Sequence, residues 1–311
     1  MKRLIVHLAV WAVALPIAAP ANATWPGRNG LLVFSGCRLE CEDTGTGADL
    51  FVAQSNGSDR HKLTNLSEWE TSPQWSPDGS EIVFTCRGSG LLDDPNEEIC
   101  IVDADGSDLI EVTDNDVQDD YPTWSPDGSQ IAFVRGVWPD SELYVMDADG
   151  SDSQRLTNDQ SRDESPAWSP DGEWIAYVSG DDDQRIDVFR IPAAGGDREN
   201  LTSSRRHENT PSWSPDGRKI LFSRYHRSRR QEGWQVWKMD ADATNQQALT
   251  RTRDGFNVTP VFSPNARIIV FNRAGKGRRY NIAKMRPNGR RVRTVISRRG
   301  WQFFSPDWQA R

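Results

Sequence analysis

Histidine is scarce: there are four in 311 residues. His7 lies in the leading apolar segment, and His61, His207 and His226 are far apart, which argues against a three-histidine metal centre. No G-x-S-x-G segment is present, so the usual serine-hydrolase elbow is absent. Past residue 20 no apolar run approaches the roughly 18 residues that a helical span requires. Cysteine is limited to Cys37, Cys41, Cys86 and Cys100. Four thiols allow three pairings. The local one, Cys37–Cys41 with Cys86–Cys100, is preferred because the second pair flanks a loop between two strand-like runs; free buried thiols are the alternative.

Acidic residues become rare late in the chain. Up to Asn200 there are 13 Lys and Arg against 38 Asp and Glu, and from Leu201 onward 24 against 7. The basic residues are threaded through strand-like sequence, so they predict a charged surface on a folded body rather than a tail. At the other end Lys2 and Arg3 precede "LIVHLAVWAVALPIAA" and then "ANA" before Thr24. A basic start, a short apolar middle and an A-x-A site predict a signal peptide over residues 1–23. The expected product is residues 24–311, secreted or periplasmic, in a disulfide-permissive compartment.

The dominant feature is repetition. "PQWSPDG" at Pro73 recurs as "PTWSPDG" at Pro122, "PAWSPDG" at Pro166 and "PSWSPDG" at Pro211, then more weakly as "PVFSPNA" at Pro260 and "PDW" at Pro306. Strand-like runs such as "EIVF" and "KILF" follow, and each unit ends in a short strand such as "KLT" or "RLT". Six units of four short strands fit this spacing. Such sheets bury both faces by radial packing. The fold expected is an all-β six-bladed propeller of four-stranded antiparallel blades. Its C-terminal strand, with Trp308, would pair into the N-terminal blade, and Trp25 competes for that register.

The turn "VMDADGSD" at Val145–Asp152 has the alternating acids of a calcium loop. Across the units its first acid aligns with Gln54, Asp103, Asp147, Pro192, Asp240 and Arg286, and its glycine with Gly57, Gly106, Gly150, Gly195, Ala243 and Gly289. Five of these six positions keep glycine and only three keep aspartate. A positive-φ hairpin needs the glycine, whereas a calcium loop needs the carboxylate. These are read as hairpin turns.

The unit "P-x-W-S-P-D-G … I-x-F … M-D-A-D-G … L-T" resembles the PD40 repeats of the TolB-like six-bladed propellers. TolB carries an α/β domain ahead of its propeller. Here the first repeat unit follows the expected cleavage site closely, so the resemblance implies a propeller lacking that domain. It also implies an envelope protein or peptide as partner.

Strand parity puts the tight "SPDG" and "ADG" turns on one face and the long, dissimilar loops on the other. Variable loops on a rigid scaffold predict the working face. Three residues before each repeat proline stand Glu70, Asp119, Asp163, Glu208, Asn257 and Phe303, with Trp69, Phe256 and Trp301 adjacent. The expectation is an acidic ring at a channel mouth that holds the basic end of a partner or a cation such as calcium; otherwise the acids bind neighbouring backbone and keep blades in register. No resident cofactor or metal is expected. A basic sector comprising Arg224, Arg227, Arg229, Arg230, Arg278, Arg279, Arg290 and Arg291 suits a cell-wall glycan or acidic partner; export makes nucleic acid an unsuited one. The function expected is non-catalytic binding, with a carbohydrate-active or metal-dependent enzyme acting at the channel mouth as the alternative.

Overall fold

A computed structural model describes residues 27–39, 47–66, 69–87, 97–137, 140–159, 161–181, 185–228, 231–251, 254–275 and 279–310. The expected signal segment 1–23, Trp25, Cys41, Arg229, Arg230 and Arg278 lie outside the described residues. Among the described residues all regular structure is β. The first strands are β1 (Asn29–Arg38), β2 (Asp49–Ala53) and β3 (His61–Lys62). They are followed by β4 (Glu70–Trp75), β5 (Glu81–Arg87), β6 (Glu97–Asp103) and β7 (Ile110–Glu111). The third unit holds β8 (Asp119–Trp124), β9 (Gln130–Arg135), β10 (Glu142–Asp147) and β11 (Gln154–Arg155). The fourth holds β12 (Arg162–Trp168), β13 (Trp174–Asp181), β14 (Arg185–Pro192) and β15 (Glu199–Asn200). After them come β16 (Glu208–Trp213), β17 (Lys219–Ser228), β18 (Gln231–Asp240) and β19 (Gln247–Ala248). The chain ends with β20 (Asp254–Phe262), β21 (Ile269–Ala274), β22 (Asn281–Met285), β23 (Arg293–Ile296) and β24 (Trp301–Ala310).

This is an all-β propeller of small antiparallel sheets, but the expected six separate sheets are not what is found. Four sheets have four strands each, and the strands from β16 to β23 share one eight-stranded sheet. The join is a short parallel pairing of Glu232–Trp234 on β18 with Asp254–Phe256 on β20. Its cause is local. Strands β17 and β18 run ten residues each, against seven in β5 and β6, so their hairpin overreaches its sheet. Gly233 then admits β20: a side-chain carbon there would stand 2.1 Å from the Gly255 carbonyl oxygen.

The last strand pairs antiparallel with β1, placing Trp308 opposite Leu32. Strands β4, β8, β12, β16, β20 and β24 each pack against the next, and β24 also packs against β4. The core lies between neighbouring sheets. One cluster joins Leu32, Phe34 and Phe51 to Val270, Ile282 and Ile296, and another joins Val33 and Leu50 to Trp75, Ile82 and Phe84. The repeat aromatics Trp75, Trp124, Trp168, Trp213, Phe262 and Trp308 are all buried in these layers.

The "ADG" segments are hairpin turns. In one, the Gly150 amide donates to Asp147 O at 2.9 Å and the Asp147 amide to Ser151 O at 2.9 Å. The middle acid is used by the turn itself: Asp149 accepts from both the amide and the hydroxyl of Ser151. The same bonds join Asp105 to Ser107 and Asp242 to Thr244. All six aligned glycine positions have positive φ, Ala243 included, at 68°. Gly150 carries a second constraint, because a side-chain carbon would meet Val112 O of the preceding sheet at 2.2 Å.

Two substitutions separate these constraints. Ala243→Gly relieves a left-handed alanine and is expected to stabilise by about 0.5–1 kcal/mol. Gly150→Ala is expected to destabilise by about 1–2 kcal/mol or more, since it adds a backbone clash to the strain. Urea unfolding of the three proteins checks both signs.

Candidate functional site

Six strands converge on one cavity of about 170 Å³. Each of β4, β8, β12, β16, β20 and β24 contributes its repeat proline and the residues on either side. Those strands share an irregularity. The residue before the proline has positive φ in every case: Ser72, Tyr121, Ser165, Thr210, Thr259 and Ser305 lie between 49° and 55°. The pairing register shifts at the same place, as between Thr71 and Gln74. An extra residue in one strand of a pair is a β-bulge, and it reverses which side the preceding residues face.

That reversal corrects the expected acidic ring. Glu70, Asp119, Asp163 and Glu208 are completely buried, and Asn257 nearly so, inside the sheets rather than around an open mouth. Glu70 accepts from the Leu50 amide at 2.8 Å and from the Thr64 hydroxyl. Asp119 holds Arg135 through two bonds of 2.7 and 2.8 Å. Glu208 takes Arg224 at 2.6 Å and Ser204 at 2.6 Å, and the Asn257 amide donates to Trp234 O at 3.3 Å. These four groups fasten the starts of β4, β8, β16 and β20 to their own or the preceding unit. The flanking aromatics are also in use. Trp69 packs against the cluster of Cys37 and Ala48, Phe256 meets Tyr280 edge-on, and Trp301 joins Phe51 and Phe303.

The basic sector is likewise divided. Arg224 is 7% exposed, its charge spent on Glu208. Arg227 lies exposed near the end of β17 and Arg279 just before β22, whereas Arg290 and Arg291 occupy the β22–β23 turn at the opposite strand ends. The structure does not bring these four together. The expected Cys86–Cys100 disulfide is present, bridging β5 and β6. Cys37 is also disulfide-bonded, and its expected partner Cys41 lies outside the described residues.

The residues the bulge turns outward are those immediately after the buried acids. Asp120 is half-buried, accepting from the Thr85 hydroxyl and the Tyr121 amide, each at 2.6 Å. Burial and then the Glu97 charge push its carboxyl up to about 7, with Glu164 adding to the effect. The charge of Asp120, then burial, raises the Tyr121 hydroxyl well above its ordinary value. Glu164 is paired with Arg162, and Glu97 accepts from the Gln118 side chain. Neighbouring units thus place three carboxylates and a tyrosine within electrostatic reach of one another. The sequence expectation places the first member of each acidic doublet at the mouth, and the bulge turns that member inward and the second outward. The signal was the acidic doublets Asp119–Asp120 and Asp163–Glu164, whose second members face away from the sheet interior.

Among the described residues lining the cavity, Asp307 is the one acid. Its Oδ2 accepts the Trp75 amide at 3.0 Å across the junction of β24 and β4. Burial pushes its carboxyl up to about 7. Gln74 repeats the latch one unit on, accepting the Trp124 amide at 2.7 Å. Among the described residues no group of three or more histidine, cysteine, aspartate or glutamate side chains is arranged to hold a metal ion.

Burial also pushes Glu70, Asp163 and Glu208 up to about 7. A carboxyl whose folded value lies above its unfolded value of about 4 binds its proton more tightly in the folded protein. It therefore favours folding at low pH, and that contribution is lost as pH rises from about 4 to about 7. Unfolding free energy is expected to decline between pH 5 and pH 8. Asp163→Asn, which removes one such group, should flatten the decline by about 1–3 kcal/mol; denaturant titrations across that range provide the check.

A family model described as the PD40 TolB beta propeller domain matches residues 96–310. No curated protein matches significantly. Among solved structures, TolB from Acinetobacter baumannii superposes with TM-score 0.74 at 23% identity, over 91% of this chain and 67% of that one. A putative TolB from Agrobacterium tumefaciens gives 0.66 at 19%, over 91% and 99%. Kuenenia stuttgartiensis hydrazine synthase gives 0.77 at 13%, over 96% and 50%. At these identities the likeness concerns the fold.

Proposed function

The chain belongs to the PD40 TolB beta propeller domain family, and from that premise we propose that it is an exported, non-catalytic binding module. In this reading residues 1–23 direct export and residues 24–311 form six blades. The eight-stranded sheet counts as two blades joined at one edge, and β24 closes the ring against β1. Six inner strands around one cavity support that count.

The loop face and the channel mouth receive a protein or peptide of the cell envelope or beyond. The observation that carries this is the group Asp120, Glu164 and Glu97 around Tyr121 at the loop-face end of the inner strands. A carboxyl pushed up to about 7 by burial and then by neighbouring acids is relieved when a cation arrives. A lysine, arginine or amino terminus of a partner supplies that cation.

The test is capture from envelope extracts by the wild-type protein and by an Asp120→Asn/Glu164→Gln variant. Both replacements keep the hydrogen-bond acceptors. Loss of a captured protein with the variant is expected; identical captured sets would refute the assignment of the mouth. The catalytic alternative has its own motive, since Asp120 carries the raised value a general acid needs. Turnover of oligosaccharide or peptide pools that disappears with Asp120→Asn would favour it.

A further inference from the structure

One junction between units carries two cations where its counterpart carries an ion pair. Between β11 and β15, Asp159 and Arg198 are joined at 2.7 Å. Asp159 stands three residues after Leu156, and Arg198 three residues before Leu201. The same repeat positions between β23 and β3 hold Arg298, three after Val295, and Arg60, three before Leu63. Three other described junctions are uncharged there: Leu66 with Leu109, Asn115 with Ser153, and Ser204 with Gln246.

The two units concerned are in contact. Lys284 of β22 donates to Ser55 O at 2.8 Å, and one core cluster contains side chains of both. Arg60 lies over the Phe303 ring at 4.9 Å and Arg298 over the Trp301 ring at 4.9 Å. Those rings are nearly parallel, with centroids 6.1 Å apart. Arg198 rests on Phe189 in the same manner, at 4.8 Å. Both junctions thus seat an arginine on an aromatic ring, supplied by β14 in one and by β24 in the other, and only the first has an acid at the facing position. Neither Arg60 nor Arg298 has a salt bridge or side-chain hydrogen bond among the described residues. Burial, and then the charge of Arg298, lowers the Arg60 pKa.

We propose that this junction is a carboxylate-binding site, in which a carboxylate between Arg60 and Arg298 takes the place that the Asp159 carboxylate fills at the other junction. Two guanidiniums held on flat rings present their donors with little rotameric freedom left to lose, which suits a planar oxyanion. Both a free dicarboxylate and an acidic peptide carry the required group. The site is separate from Asp120 and Glu164, so its failure would leave the channel-mouth reading untouched, and the reverse also holds.

The experiment uses calorimetric titration and thermal unfolding of the wild-type protein with succinate at constant ionic strength, and then with hexaglutamate. The comparison proteins are Arg298→Asp, which restores the charge pattern of the other junction, Arg60→Gln, and the control Arg299→Gln. Succinate is expected to bind the wild type and the control and to raise their Tm. Arg60→Gln should weaken binding about tenfold. Arg298→Asp should melt higher without ligand and lose the response. Tighter binding of hexaglutamate per carboxylate assigns a peptide source, and equal binding a free anion. An equal succinate response in the wild type and both seam variants, or no binding of either probe to the wild type, would overturn the proposal.

Discussion

The arrangement rests on a backbone irregularity repeated in every inner strand. The residue before each repeat proline is left-handed, a conformation that the proline ring and the residue's own side chain both disfavour. Strain of this kind costs about 1–3 kcal/mol per residue and persists only where the surroundings over-determine it. Here they do. Three residues on, each strand inserts Trp or Phe into the interior, at 0–5% exposure. The strained amides also find acceptors: Tyr121 on Asp120, Thr210 on Asn209, and Ser305 on Asn272. The bulge lets five of the strands bury an acid or amide at the start, with Phe303 in that place on β24, and all six an aromatic at the end, while a proline lines the cavity between them.

The junctions between units are less uniform than the units. Gln74 and Asp307 take a neighbouring amide, Ser212 instead donates to Pro260 O at 2.6 Å, and the Trp213 indole donates to Ala167 O at 3.1 Å. Ala167 and Val261, at the same position, have no polar side chain to offer. Because each side chain serves its own junction, a repeated scaffold can still present a different surface at every one. The charge patterns of Asp159 with Arg198 and of Arg60 with Arg298 arise in the same way, from single residues on a constant backbone.

Periodicity made the architecture legible, and local geometry limited what could be read of the site. The Trp positions, the positive-φ hairpins and the Cys86–Cys100 bridge follow from spacing and turn chemistry, and the structure has them. Side-chain direction around Glu70 and Asp119 does not follow, because a single inserted residue inverts it and nothing in "ETSPQW" announces the insertion beyond its proline. The shared sheet from β16 to β23 is hidden for another reason: it depends on how far one hairpin extends and on Gly233 having no side chain. Repeat spacing carries neither fact.

Charge asymmetry along the chain illustrates the difference between sequence blocks and surfaces. Part of the late basic excess is taken up by contacts within the structure. Arg224 is paired with Glu208 and Lys219 with Asp240, while Lys238 donates to Pro287 O and Lys284 to Ser55 O. Burial lowers the pKa of both of those lysines. The remaining exposed arginines are spread over opposite strand ends, so the net charge of the segment does not define a single basic face. A cation here matters through what lies within a few ångströms of it: a carboxylate, a carbonyl, an aromatic ring or another cation.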